Sequence, residues 1–198
     1  MTYEEFYGSS YAGIKEAERL LLELIRQYPG ADPEDVKPII YCCSRIKSPE
    51  SMIKKLEKKD LPVTCESALR EVYDAVGVRI VCAFAEDVYQ VAAWLSGQSC
   101  IKVAQRKDYI AYPKPNGYRS YHMRIELETG KKGGCLAEIQ IRTIAIDFWA
   151  ALEHQLKYKK NMPHEGLIQD ELKRCADEIA SVDLSMQTLR EIIRGLDG

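Results

Sequence analysis

The stretch Ala137-Glu138-Ile139-Gln140-Ile141-Arg142 alternates apolar and polar residues without a break. Successive side chains of a strand point to opposite faces, so Leu136–Thr143 reads as a strand with one buried face. Glu138, Gln140 and Arg142 then share its other face. Outward from it, Val78 to Ala83 is nearly all apolar and reads as a buried strand. Further strands are expected at Val36–Cys43 and over Cys100–Ala104 with Tyr109-Ile110. Helical spacing occurs in Glu86–Leu95 and in Ile144–Lys159, where Phe148, Leu152 and Leu156 recur every four residues. Trp149 and His154 on that helix read as packing residues. Strands interleaved with helices define an α/β class, a mixed sheet of about five strands flanked by helices.

Between these strands lies Tyr112-Pro-Lys-Pro-Asn-Gly-Tyr-Arg-Ser-Tyr-His122. Two prolines and an Asn-Gly step make its first half a turn, and its second half runs into a strand. It offers two cations, the rings of Tyr118 and Tyr121, an amide and an imidazole. Such residues grip a nucleotide, with a ring on the base and cations on the phosphates. The bland alternative is a surface hairpin.

Other cations cluster upstream. Arg45 and Lys47 follow the first strand, and Ser48-Pro49 has the chemistry of a helix N-cap and first helical position. Lys54, Lys55, Lys58 and Lys59 ride on that helix, Lys55 and Lys59 on one face. A lysine-rich helix is commonly only a solvated face. A short helix at Glu66–Tyr73 leads to Asp74, at the mouth of the buried strand. Asp74 alone reads as a capping residue, and the Glu138 face as solvated. Together they could share a Mg²⁺ with substrate phosphates.

The net charge of the 198 residues is −2, so no global basic field attracts nucleic acid, and RNA binding is not indicated. Seven scattered cysteines without a Cys-x-x-Cys pair read as reduced thiols. No apolar run approaches a membrane span, and residues 1–5 do not resemble a signal peptide, so a cytoplasmic location is expected.

Residues 3–28 read as one amphipathic helix through Tyr7, Tyr11, Ile14, Leu21 and Ile25, with Glu18 as a gap and Tyr28-Pro29-Gly30 as the stop. Gly130–Gly134 reads as a hairpin connection and Asn161–Pro163 as a linker. From Leu172, residues 175, 179, 182, 186, 189, 193 and 196 continue a heptad seam, which argues for helix–helix packing. The expected division is an N-terminal helix over 1–35, a central α/β domain over 36–160 and a helical extension over 161–198.

Lys114-Pro-Asn-Gly-Tyr-Arg-Ser-x-His122, Glu138-Ile-Gln-Ile-Arg-Thr143 and Phe148-Trp-Ala-x-Leu-Glu-His154 together resemble the RelA/SpoT-type synthetase family. The resemblance spans roughly residues 40 to 160 in several ordered motifs. It implies a nucleotidyltransferase-like fold and an enzyme that moves pyrophosphate from ATP to the 3′-hydroxyl of GDP or GTP. By that resemblance Arg45, Lys47 and Lys55 hold ATP, with Lys58 a further phosphate contact and Arg79 stacked on adenine. Asp74 and Glu138 hold Mg²⁺, and Glu138 is also the base. Tyr118 stacks on guanine, with Lys114, Asn116, His122 and Gln140 nearby and Asp147 reading the guanine edge. The resemblance also implies a homo-oligomer, a tetramer. With three histidines (His122, His154 and His164) and a short leader before Arg45, neither the hydrolase domain of bifunctional relatives nor a C-terminal regulatory domain is expected. Two other readings share these residues. One is a related toxin that pyrophosphorylates the 3′ end of tRNA, the other a non-catalytic nucleotide or RNA binder.

Overall fold

A computed structural model describes residues 1–29, 37–130, 134–157 and 165–196. Val36, Gly30, most of the Gly130–Gly134 connection, the Asn161–Pro163 linker and His164 lie outside the described residues.

The expected N-terminal helix is two helices, α1 (Tyr3–Tyr7) and α2 (Ser10–Arg26). Gly8 separates them at φ 55°, a left-handed value that glycine adopts without a Cβ penalty. Ile14, Ala17, Leu21 and Ile25 of α2 are buried, so Ala17 supplies the turn that Glu18 leaves open. Strand β1 (Ile39–Ile46) runs further than expected and carries Arg45 within it. Helix α3 (Pro49–Glu57) starts as its sequence suggests: the Ser48 hydroxyl accepts from the Ser51 N–H, with Pro49 in the first turn. Helix α4 (Cys65–Arg70), strand β2 (Val76–Cys82) and helix α5 (Ala85–Ser96) follow. Then come β3 (Ile101–Asp108), β4 (Tyr121–Leu127), β5 (Cys135–Thr143), α6 (Ile144–Lys157) and α7 (Glu165–Leu196).

The strands form one mixed sheet in the order β1-β2-β5-β4-β3. The β2–β5 pair is parallel and the other three are antiparallel. Alternation decides the faces. Ala137, Ile139 and Ile141 of β5 and Met123, Ile125 and Leu127 of β4 join the core with Ile80, Val91 and Leu95. The opposite face of the same strands stays polar.

Two helices depart from expectation. In α6 the inward residues are Ile146, Trp149 and Ala150, while Phe148, Leu152 and Leu156 are exposed. In α7 the predicted seam is half covered. Leu172, Cys175 and Ile179 pack around Trp149, Ala150 and Ala176, whereas Val182, Met186, Leu189, Ile193 and Leu196 are exposed.

Candidate active site

Strand register arranges the polar face into two rows. Lys107, His122, Gln140, Arg79 and Cys43 are successive cross-strand partners from β3 to β1. Beside them run Gln105, Arg124, Glu138, Gly77 and Arg45. Gly77 has no side chain, so the second row opens there into a cavity lined by Arg45, Asp74, Arg79, Glu138 and Gln140. A second cavity is lined by Lys55, Lys107, Lys114, His122, Arg124 and Glu138. Glu138 lies on the wall common to both.

At the first cavity, Asp74 Oδ2 accepts from Lys47 Nζ at 2.9 Å and pairs with Lys55 Nζ at 2.6 Å. Burial alone would raise its pKa, but the hydrogen bonds from Lys55 and Lys47 hold it below the usual carboxylate range. Lys47 is fixed through its backbone: its N–H donates to Ala75 O at 2.9 Å, and its carbonyl accepts from the Tyr7 hydroxyl at 2.8 Å. Asp74 Oδ1 is buried without a hydrogen-bond partner. A desolvated carboxylate oxygen in a cavity shared with a second carboxylate suits a divalent cation. Among the described residues no three His, Cys, Asp or Glu side chains converge on a metal position. Two carboxylates plus phosphate oxygens is the pattern Mg²⁺ favours. Lys58 is the exposed C-cap of α3 and lines neither cavity.

At the second cavity the loop closes through Gly117 N–H to Lys114 O at 2.8 Å and Lys114 N–H to Tyr118 O at 3.1 Å. Gly117 has φ 84°, as the Asn-Gly turn requires. Asn116 serves the turn rather than the cavity: Oδ1 accepts from Tyr118 N–H at 3.3 Å and Nδ2 donates to Glu153 at 3.2 Å. Lys114 Nζ stands 4.8 Å from the Tyr118 ring centre and 4.7 Å from that of Tyr109. The Tyr118 hydroxyl accepts from Arg142 Nη2 at 2.9 Å and lies 2.9 Å from His122 Nε2. The guanidinium only donates, while the direction of the Tyr118–His122 bond is set by the imidazole tautomer. Burial lowers the His122 pKa to about 4, with Arg142, Lys114 and Arg124 acting in the same direction and Glu138 opposing.

Glu138 accepts from Arg124 Nε at 3.3 Å and from Gln140 Nε2 at 3.3 Å, with His122 Nδ1 at 3.9 Å. Asp147 lines neither cavity. The Tyr41 hydroxyl donates to its Oδ2, while Arg142 at 3.0 Å and Arg79 at 3.3 Å meet its Oδ1. Its oxygens already hold partners, so it joins the Arg79 side of the site to the Tyr118 side. Arg124, Gln105, Lys107 and Tyr109 complete the second cavity; of these only Lys107, beside the central loop, stands out in the sequence. The signal for Arg124 was present: it alternates with Met123 and Ile125 beside His122. Only the register shows that it faces Glu138.

Two cation-lined cavities that meet at one carboxylate are the arrangement of an enzyme joining two phosphate-bearing substrates. The chain belongs to the RelA/SpoT family: residues 44–163 match the region found in RelA / SpoT proteins. It is 41% identical over 157 residues to the GTP pyrophosphokinase YwaC of Bacillus subtilis, covering 78% of this chain and 75% of that one. The small alarmone synthetase 1 of Bacillus subtilis, solved with its product pppGpp, superposes with a TM-score of 0.79 at 30% identity. That match covers 92% of this chain and 95% of the other. The same enzyme solved with AMPCPP superposes with a TM-score of 0.70 at 26% identity, over 98% of this chain and 99% of the other.

Proposed function

We propose that the chain is a GTP pyrophosphokinase that moves the terminal pyrophosphate of ATP to the 3′-hydroxyl of GDP or GTP, forming ppGpp or pppGpp and releasing AMP. The observation that carries this reading is Glu138 on the wall between the two cavities. The names and bound nucleotides of the relatives support it over a tRNA-modifying toxin or a silent binder.

In this reading the donor lies over Arg45 and Arg79 of the first cavity, with Lys47 and Lys55 joined to that cavity through Asp74, Lys55 also lining the second cavity, and Lys58 at the margin. The guanidinium of Arg79 stacks on adenine. The acceptor lies over Lys114 and His122 of the second cavity, with Tyr118 beside them, Gln140 reaching from the wall of the first cavity, Asn116 shaping the loop and Asp147 behind it. Glu138 takes the proton of the 3′-hydroxyl as that oxygen attacks the β-phosphorus of ATP. A new oxygen–phosphorus bond forms, the bond from the β-phosphorus to the α–β bridging oxygen breaks, and AMP carries that oxygen away. The lysines and arginines spread the phosphate charge and hold attacking and leaving oxygens in line. Asp74 and Glu138 would hold Mg²⁺, which supplies charge neutralisation at the phosphates. Arg124 and His122 fix the Glu138 side chain for its two tasks.

The exposed row on α7 and the exposed stripe Ile144, Phe148, Leu152 and Leu156 on α6 support a homo-oligomer, and a tetramer is our reading. Seven free cysteines fit a reducing cytoplasm. Among the described residues no helix is long and apolar enough to cross a membrane.

The test is labelled ATP with Mg²⁺ and either GDP, GTP or tRNA, for wild type and Glu138→Gln. Transfer to GDP or GTP, abolished in a folded Glu138→Gln protein, is expected. Transfer to tRNA alone refutes the acceptor, and undiminished synthesis by Glu138→Gln removes this residue from the mechanism.

A further inference from the structure

We propose that α7 is the strut that sets the acceptor loop, and that Arg119 is the positioning residue through which it acts. The inference rests on assigning the loop at 112–122 to GDP or GTP.

Three consecutive loop residues meet α7. At Gly117 an added Cβ would lie 2.7 Å from Ala176 Cβ and 3.3 Å from Lys173 Cα, so loop and helix are in contact at the backbone. Tyr118 packs with Leu172, Cys175 and Ile179 around Trp149, Ala150 and Ala176, which makes α7 part of the bed of the stacking ring. Arg119 lines neither cavity. Its Nη1 donates to Gly117 O at 3.1 Å and to Ala176 O at 3.4 Å, and its Nη2 donates to Asp177 Oδ1 at 3.0 Å. One guanidinium thus ties the glycine of the turn to a carbonyl and a carboxylate of the helix. The Arg119 side chain is only 15% exposed, so the guanidinium end of the tie is shielded, while Asp177 stands at 46%.

The helix is anchored apart from the loop as well. Trp149 Nε1 donates to Leu172 O at 2.8 Å, and Arg190 binds both oxygens of Asp87 on α5 at 2.8 and 3.0 Å. A shift of α7 is therefore delivered to residues 117–119. In the first cavity Arg45 stands on β1, Asp74 just ahead of β2, Arg79 on β2, and Glu138 and Gln140 on β5. The position of α7 should set acceptor affinity and leave ATP affinity nearly unchanged, because the route traced from Tyr118 to Arg79 is the longer link through Arg142 and Asp147.

The experiment measures KM for GDP and ATP separately, with kcat and melting temperature, for Arg119→Ala, Arg119→Lys and Ala176→Leu. Tyr118→Ala serves as reference for the acceptor assignment. Loss of the charge-assisted bonds in Arg119→Ala should raise the GDP KM about tenfold, and the ATP KM should hold. Arg119→Lys should recover part of the loss through Asp177. Ala176→Leu adds bulk where Gly117 comes closest and should raise the GDP KM with the Arg119 side chain itself unaltered. If Tyr118→Ala raises the GDP KM but folded Arg119→Ala and Ala176→Leu do not, the strut is refuted and the acceptor assignment stands. A fall in kcat alone, with both KM values unchanged, also refutes it. If Tyr118→Ala raises the ATP KM instead, the loop assignment itself fails.

Discussion

Removing one oxygen from Tyr118 tests the acceptor site more sharply than removing the ring. From sequence, Tyr118→Phe is expected to be mild, because the stacking surface survives. The structure argues otherwise. The hydroxyl bridges Arg142 Nη2 and His122 Nε2, each at 2.9 Å. In Tyr118→Phe the guanidinium keeps Gln140 Oε1 at 2.9 Å as a partner. His122 Nε2 loses its partner, in a side chain only 13% exposed. A buried polar atom left unpaired costs about 1–3 kcal/mol, a factor of roughly 5 to 150. The loss divides between a lower denaturation midpoint and a higher GDP KM, since the ring is no longer held by its tip. Tyr118→Ala should add the stacking loss, about 1–3 kcal/mol more. Urea denaturation and steady-state kinetics with GDP and ATP varied in turn measure both parts. A Tyr118→Phe protein with wild-type midpoint and wild-type GDP KM would refute the hydroxyl network. An equal rise in the ATP KM would refute the division of the two cavities.

Burial raises the Asp183 carboxyl pKa, against the hydrogen bond from Thr143 Oγ1 at 2.7 Å. The native state then binds this proton more readily than the unfolded chain, so its contribution to stability falls as pH rises through the carboxylate range. Asp183→Asn keeps an acceptor for Thr143. It should melt above wild type at pH 8, with the gap closing towards pH 4; a constant or negative gap would refute the reasoning. On the far half of α7, Met186→Asp with Ile193→Asp changes two exposed residues, so the fold should hold. Each large side chain covered by a partner is worth about 1.5–3 kcal/mol. Light scattering should therefore show smaller species for this double variant, and a wild type that is monomeric at micromolar concentration would overturn the assembly.

Local chemistry was legible in the sequence wherever the signal sat within a few residues. The alternation at 137–142, the Ser48-Pro49 start of α3, the Asn116-Gly117 turn and Asp74 ahead of β2 all occur where the sequence placed them. Period two says which residues share a face, but not which strand lies beside them. Arg124 opposite Glu138, and Gly77 opening the row between Glu138 and Arg45, exist only through register. The break at Gly8 was missed for a related reason: one glycine is tolerated in a helical pattern, and only its φ shows that it ends one.

The α7 seam shows how a correct pattern can yield the wrong face. The apolar row steps through residues 172, 175, 179, 182, 186, 189 and 193. The inward row is Leu172, Ala176, Ile179, Asp183, Gln187 and Arg190. The two share Leu172 and Ile179 and then diverge by one residue, because the inward row takes two steps of four in succession where the heptad takes three and four. What selects the polar row is visible in its partners. Thr143 bonds Asp183, the Glu86 N–H donates to Gln187, and Arg190 pairs with Asp87 and Glu86 beside the Phe84 ring, 4.2 Å from its centre. Each of these side chains would be costly to bury alone, and each has a partner here, although Arg190 Nε itself is buried without one. Rotating the helix by one residue to cover Met186 and Ile193 would orphan several of them at once. The apolar row therefore remains outside on a helix that cannot turn to hide it, and the same helix braces Gly117, Tyr118 and Arg119 at its other end.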